Sequence, residues 1–187
     1  MAAETAKDEL DLDEVWFVPA GRPPHKRPSG VSPARVRLAL LSRALSGLAR
    51  FRVFDLEIRR RGPSYTVDTL EWLVARRPRV EWWLVLGADM LADLPNWRRP
   101  ARVLELAGVA ALPRPGYPVR WPRALERRRF HTLDAPSLGL SSSDLRARVA
   151  RGASIRFLVP DAVERAVRRM RLYRKAGHGS RARVRHG

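Results

Sequence analysis

Short apolar runs of β type alternate with helical periodicities along most of the chain. The stretches 14–19, 51–58, 82–87, 108–112 and 130–134 are rich in Val, Leu, Phe and Trp and are bounded by Pro, Gly or charged residues, a pattern that predicts strands. Between them lie helical patterns with legible starts. Ser32 followed by Pro33 opens one whose Leu38, Leu41, Leu45 and Leu48 share a face. Val67, Leu70 and Val74 mark a second, Val103, Leu104 and Ala107 a third behind Pro100, and Val163, Ala166, Val167 and Met170 a late one behind Pro160. Strands alternating with helices predict an α/β domain with a mostly parallel sheet. The opening M-A-A-E-T-A-K-D-E-L reads as the second half of a helix without the strand that normally precedes one in a wound sheet. No internal repeat occurs, so the pattern predicts one domain over 1–173 and a basic tail over 174–187 without periodicity.

Composition narrows the class. With 187 residues, 45% of them hydrophobic, the chain can bury one sizeable core. It has no apolar run of the roughly 18 residues that span a bilayer, and residues 1–12 lack the basic-then-apolar order of a signal peptide, so a cytoplasmic protein with no membrane partner is expected. Zero cysteines exclude a disulfide framework, a thiolate nucleophile and a cysteine zinc site. The four histidines stand at 25, 131, 178 and 186, too scattered for a structural metal. A net charge of +18 would suit a nucleic-acid binder. Only Lys7, Lys26 and Lys175 are lysines, however, and the rest of the 37 basic residues are arginine. That lopsidedness favours a general arginine bias over selection for phosphate grip.

In wound sheets, ligands bind beyond the carboxyl ends of the strands, so the segments that follow each strand carry the candidate chemistry. The first is V-P-A-G-R-P-P-H-K, where prolines rigidify a loop presenting Arg22, His25 and Lys26 to an anion; a basic surface turn gives the same string. In L-V-L-G-A-D-M, Gly87 admits a ligand to the backbone and Asp89 suits a ribose hydroxyl or hydrated metal, or merely caps a helix. Trp97 of L-P-N-W offers a ring face to a flat heterocycle or packs its loop onto the core. Ser64, Tyr65 and Thr66 stand at a helix start whose free amides can take a carboxylate or phosphate, with simple capping by Ser64 or Thr66 as the alternative. Ser141, Ser142 and Ser143 stand at another, with Arg146 one turn in, although a capping box from Ser141 to Asp144 explains part of that pattern. No nucleophile has a base at informative spacing, and no Gly-x-Ser-x-Gly or Walker-type loop occurs. The set fits a transferase that works by positioning and charge stabilisation.

Taken in order, V-P-A-G-R-P-P-H-K, S-Y-T-V-D-T-L-E, L-G-A-D-M-L-A-D-L-P-N-W, R-P-G-Y-P, L-S-S-S-D-L-R and G-A-S-I-R-F-L-V-P-D-A-V closely resemble bacterial nicotinate-nucleotide adenylyltransferase, over residues 2–174. The resemblance implies a Rossmann-like nucleotidyltransferase fold that condenses ATP with nicotinate mononucleotide to deamido-NAD and pyrophosphate, usually with Mg²⁺, in NAD biosynthesis. It implies ATP and nicotinate mononucleotide as partners, no specific nucleic acid, and leaves a homo-oligomer open. By the same resemblance, Trp97 stacks on the nicotinate ring, the Tyr65–Thr66 turn offers amides to its carboxylate, and the loop carrying His25 and Lys26 closes over the substrate phosphates. Gly87 and Asp89 lie beside the nucleotide, while Ser141, Ser142 and Arg146 hold the ATP phosphates, Arg146 as phosphate stabiliser. The closest alternatives are a related adenylyltransferase for another phosphorylated substrate and a nonenzymatic, arginine-rich nucleic-acid-binding protein.

Two departures stand out. The third hydroxyl of the family's I-S-S-T-x-I-R string is Ser143 here, a minor change. The family's opening strand and its G-G-x-F-D-P-x-H-x-G-H loop, whose histidines contact ATP, have no counterpart in this sequence. That strand lies mid-sheet in the family, so two neighbouring strands are expected to lack their shared ladder partner. Of the two accounts, a start assigned too far downstream or a true truncation, the intact downstream segments favour the first. Little adenylyl transfer is expected of the 187 residues alone.

Overall fold

The computed structural model describes residues 1–23, 31–121, 129–135 and 139–174. Its elements, in chain order, are α1 (Ala2–Glu9), β1 (Val15–Phe17), α2 (Ala34–Ala44), β2 (Phe51–Val53), α3 (Leu56–Arg59), α4 (Thr66–Arg76), β3 (Trp83–Gly87), α5 (Ala88–Asp93), a 3-10 turn at Leu94–Asn96, α6 (Pro100–Leu106), β4 (Gly108–Leu112), β5 (Phe130–Thr132), α7 (Ser142–Ala150) and α8 (Asp161–Arg169). Two compact units divide the chain, Met1–Gly139 and Leu140–Gly187.

The first unit is layered by the two-residue period of its strands. Leu84 and Leu86 of β3 and Val109 and Ala111 of β4 pack with Val67 and Leu70 of α4, Leu91 of α5 and Val103 of α6. Trp83, Val85, Ala110 and Leu112 take the opposite parity and join Ala6 and Leu10 from α1 together with Leu133. Helices thus cover both faces, as parallel strands require. Leu91, Leu94, Val67, Val103, Val109 and Leu133 are fully buried. Truncating one of these leucines to alanine costs roughly 2–5 kcal/mol. At its far end α1 is tied down by Glu9, which meets His131 Nε2 at 2.7 Å and accepts from the Asp134 amide at 2.9 Å.

Among the described residues the strands pair with one another in parallel and form two sheets, β1-β2 and β3-β4-β5, in keeping with the expectation that two neighbouring strands lack a shared ladder partner. Aromatic contacts, not a ladder, bring the sheets together. Trp16 meets Trp82 edge-on at 5.6 Å and Phe54 at 5.1 Å, and Phe54 reaches Trp72 of α4 at 5.3 Å. Such pairs contribute about 0.5–1.5 kcal/mol each beyond area burial.

Two elements differ from the sequence pattern. The run 51–58 is strand only to Val53; the Phe54 amide makes the last bond to β1, and Ile58 and Arg59 donate to the Asp55 carbonyl, which starts α3. Leu48 falls beyond the end of α2 and is exposed. In the second unit, Ala166 and Val167 of α8 are buried, and Asp161 and Glu164 in its first turn with Arg168 and Arg169 in its last complement the helix dipole. Residues 175–187 of the basic tail lie outside the described residues. No helix among the described residues is long and apolar enough to cross a membrane.

Candidate functional site

A cavity of about 1250 Å³ opens in the first unit, and Tyr65, Thr66 and Trp97 all line it. Each is set by a different local device. The loop after β1 is the first support, because Ser64 clamps it: the Ser64 hydroxyl accepts from the amides of Gly21 (2.9 Å) and Arg22 (3.2 Å), and the Ser64 amide donates to the Arg22 carbonyl (2.9 Å). Gly21 has to be glycine, since a Cβ there would stand 2.2 Å from the Glu57 carbonyl. Arg37 adds donations from Nη2 to the Ala20 and Gly21 carbonyls.

Capping by Ser64 or Thr66 is therefore not what the turn uses Ser64 for. Tyr65 is the N-cap of α4, and no side chain caps that helix. Its first-turn amides are left without a side-chain acceptor, and Thr66 and Val67, which own two of them, border the cavity. A buried network lies behind the turn. Thr69 Oγ1 donates to Glu57 Oε1 at 2.7 Å, Arg60 Nη2 donates to Thr69 Oγ1 at 3.3 Å, and Arg60 also reaches the Tyr65 carbonyl. The Arg98 guanidinium sits 4.7 Å over the Tyr65 ring.

Trp97 follows the 3-10 turn and packs against the core, while its Nε1 is buried without a hydrogen-bond partner. The chain just beyond it is strained: Arg99 has φ of 53°, a conformation costing on the order of 1–3 kcal/mol. Its guanidinium forks onto Glu71 of α4 at 2.9 and 3.2 Å, and Arg102 joins the same carboxylate. These donations hold the Glu71 carboxyl below the usual glutamate range, Arg99 contributing most. The Trp97 segment is thus strapped to the helix that carries Thr66.

Gly87 and Asp89 do not line the cavity, although Val85, Met90 and Leu112 do. Asp89 is not the cap of α5, whose N-cap is Gly87. One carboxylate oxygen of Asp89 accepts from Arg114 Nη1 at 2.5 Å; the other is buried, without a partner, and only 2.5 Å from where a Gly87 Cβ would be. The room that Gly87 leaves is taken by Asp89 and the Arg114 stem. Sequence reasoning missed Arg114, Glu57 and the Ser64 clamp; the R-P-G-Y-P string carried the first, but nothing local marked the others.

The second unit holds the other candidates. Ser141 caps α7 in a complete capping box: its hydroxyl accepts from the Asp144 amide (3.1 Å) and donates to Asp144 Oδ2 (2.6 Å), which also accepts from the Ser141 amide (3.2 Å). Those bonds hold the Asp144 carboxyl below the usual aspartate range. Arg146 Nη2 donates to Ser143 Oγ at 3.1 Å, and Ser142 is exposed. His25 and Lys26 lie outside the described residues.

Residues 1–148 match the cytidylyltransferase-like family model, which places the chain among nucleotidyltransferases. Over 173 residues it is 38% identical to a probable nicotinate-nucleotide adenylyltransferase of Geobacillus kaustophilus, covering 92% of this chain and 78% of that one. Over 176 residues it is 41% identical to a probable nicotinate-nucleotide adenylyltransferase of Synechococcus sp., covering 91% and 85%. The chain belongs to the nicotinate-nucleotide adenylyltransferase family, as its six ordered segments imply. Its fold is the Rossmann-like one of the Plasmodium falciparum nicotinic acid mononucleotide adenylyltransferase complexed with NaAD, with a TM-score of 0.72 at 16% identity over 92% of this chain and 90% of that one.

Proposed function

We propose that this enzyme transfers the adenylyl group of ATP to nicotinate mononucleotide, giving deamido-NAD and pyrophosphate. The observation that carries this reading is the shared cavity of Trp97 and the uncapped α4 turn. The Trp97 ring lies against the nicotinate plane, and the amides at Tyr65–Thr66 take the nicotinate carboxylate, which selects acid over amide. Asp89, with its buried free oxygen, and Gly87 stand beside the nucleotide. Ser142 and the Arg146 fork hold ATP phosphates, Ser141 joining when its bond to Asp144 opens, and His25 and Lys26 close over the substrate phosphates.

The mononucleotide phosphate oxygen attacks the α-phosphorus in line. As that bond forms, the bond from the α-phosphorus to the bridging oxygen breaks, and pyrophosphate leaves carrying the electron pair. No enzyme-bound intermediate is needed, and orientation supplies about 7–11 kcal/mol of barrier reduction. Mg²⁺ enters with ATP as part of the substrate. Among the described residues no three acidic or imidazole side chains converge.

Pyrophosphate release from ATP plus nicotinate mononucleotide tests the reading. Trp97→Ala is expected to raise the mononucleotide KM about tenfold or more while the ATP KM stays within about twofold. Equal changes in both, or none, would overturn the assignment.

A further inference from the structure

A chain of hydrogen bonds from α3 ends on the first peptide of α4. The buried Thr69 donates its hydroxyl proton to Glu57 Oε1 at 2.7 Å, so only oxygen lone pairs remain for a second partner. Arg60 Nη2 donates to them at 3.3 Å, and the same nitrogen reaches the Tyr65 carbonyl at 3.5 Å. The Thr69 amide donates to that carbonyl as well, at 3.3 Å. Glu57 is fixed in its turn, because it is buried and its own carbonyl lies where a Gly21 Cβ would be. Thr69 is the pivot of the chain, bonded to α3 through its hydroxyl and to the Tyr65 carbonyl through its amide.

A planar peptide carries this order across to the cavity. In a trans peptide the C=O and the N–H that follows it point in opposite directions. The Tyr65 carbonyl and the Thr66 amide share one such plane, so fixing the carbonyl toward Arg60 aims the amide away from it. Thr66 lines the cavity and Arg60 does not. A cation on the carbonyl also polarises the peptide and strengthens its N–H as a donor.

We propose that Thr69 is a positioning residue for acid-over-amide specificity. Held by Glu57, its hydroxyl keeps Arg60 on the Tyr65 carbonyl and so aims the Thr66 amide at the carboxylate of the substrate. The inference rests on the proposed nicotinate site and adds what sets its geometry. A carboxylate accepts at both oxygens, whereas a carboxamide offers one acceptor, so loss of aim at the paired Thr66 and Val67 amides weakens the acid more than the amide.

Calorimetric titration of the full chain with nicotinate mononucleotide and with nicotinamide mononucleotide tests it. Thr69→Val keeps the shape of the side chain without its hydroxyl and is expected to lower the acid-over-amide affinity ratio about fivefold or more. Thr69→Ser keeps the hydroxyl and is expected to hold the ratio within about twofold of the parent. Arg60→Met leaves the bond from Thr69 to Glu57 in place and should lower the ratio to a similar degree, which carries the test where Thr69→Val does not fold. Both variants act through one carbonyl, so combining them should lower the ratio no further. In the ligand-free protein the Thr66 amide proton resonance should move in Thr69→Val and in Arg60→Met and return in Thr69→Ser. An unchanged ratio in Arg60→Met, a ratio lowered as far by Thr69→Ser as by Thr69→Val, or full additivity in the double variant would each overturn the inference. A parent chain that binds both mononucleotides equally would overturn the nicotinate reading itself. A parent that prefers the acid, with the preference intact in Arg60→Met, overturns the role of Thr69 alone.

Discussion

Two helix N-termini, at α4 and α7, follow the same sequence logic and reach opposite local states. Each begins with hydroxyl residues and an acid within the first turn, and each reads equally well as an anion site or as a cap. At α4 the hydroxyl that could cap is spent elsewhere: Ser64 holds the loop after β1, and the amides of the first turn keep no side-chain acceptor. At α7 the cap is closed, because Ser141 and Asp144 satisfy one another in both directions. The difference is one of reach. Ser64 has a partner 43 residues away in sequence, whereas the partner of Ser141 is three residues away. An open turn is ready for a ligand, and a closed one must first release Asp144.

The largest effect expected is at the open end. Ser64→Ala leaves the amides of Gly21 and Arg22 without their acceptor and should destabilise the fold by about 1–3 kcal/mol in denaturant melts. It should also raise the mononucleotide KM more than the ATP KM. A stable variant with an unchanged KM would show that the clamp does not hold the turn. Ser141→Ala, at the closed end, should cost about 1 kcal/mol, the usual worth of a cap. If the comparison is right, that change leaves the mononucleotide KM alone.

Asp144→Asn sharpens the contrast further. Removing a carboxylate from a helix start proposed to bind phosphate should tighten ATP by a few-fold, because the negative charge there opposes the incoming anion. Weaker ATP binding would mean that Asp144 orders the site and does not block it. The smallest effect is acid-dependent. Because the Asp144 carboxyl is held below its ordinary range, the cap contributes fully above the unfolded aspartate value and is lost as pH falls through the lower folded one. The Ser141 amide, followed by NMR from about pH 4 downward, should report that loss. The α4 turn carries no acid in its cap and should not follow it.

Much of the fold could be read from periodicity alone. Five strands and the helices behind Pro33, Pro100 and Pro160 lie where the apolar spacing puts them, because burial on a face is a local consequence of residue order. The end of β2 was not legible, since residues 54–58 remain apolar enough for a strand while Asp55 draws them into a helical turn. At the site, Trp97, Tyr65 and Thr66, each legible as a candidate from its own local string, line one cavity. What surrounds Gly87 was not legible: the room left by its missing side chain is taken by Asp89 and Arg114, and Arg114 stands 25 residues from Asp89.

The order of residues determined most of the strand and helix segments and the family. Tertiary structure alone decided which helix start stays uncapped and that Glu57 and Thr69 sit buried behind it. Each of these depends on hydrogen-bond partners distant in sequence. Local propensity cannot name such partners, because a donor or acceptor is satisfied by whatever the folded chain brings within about 3 Å.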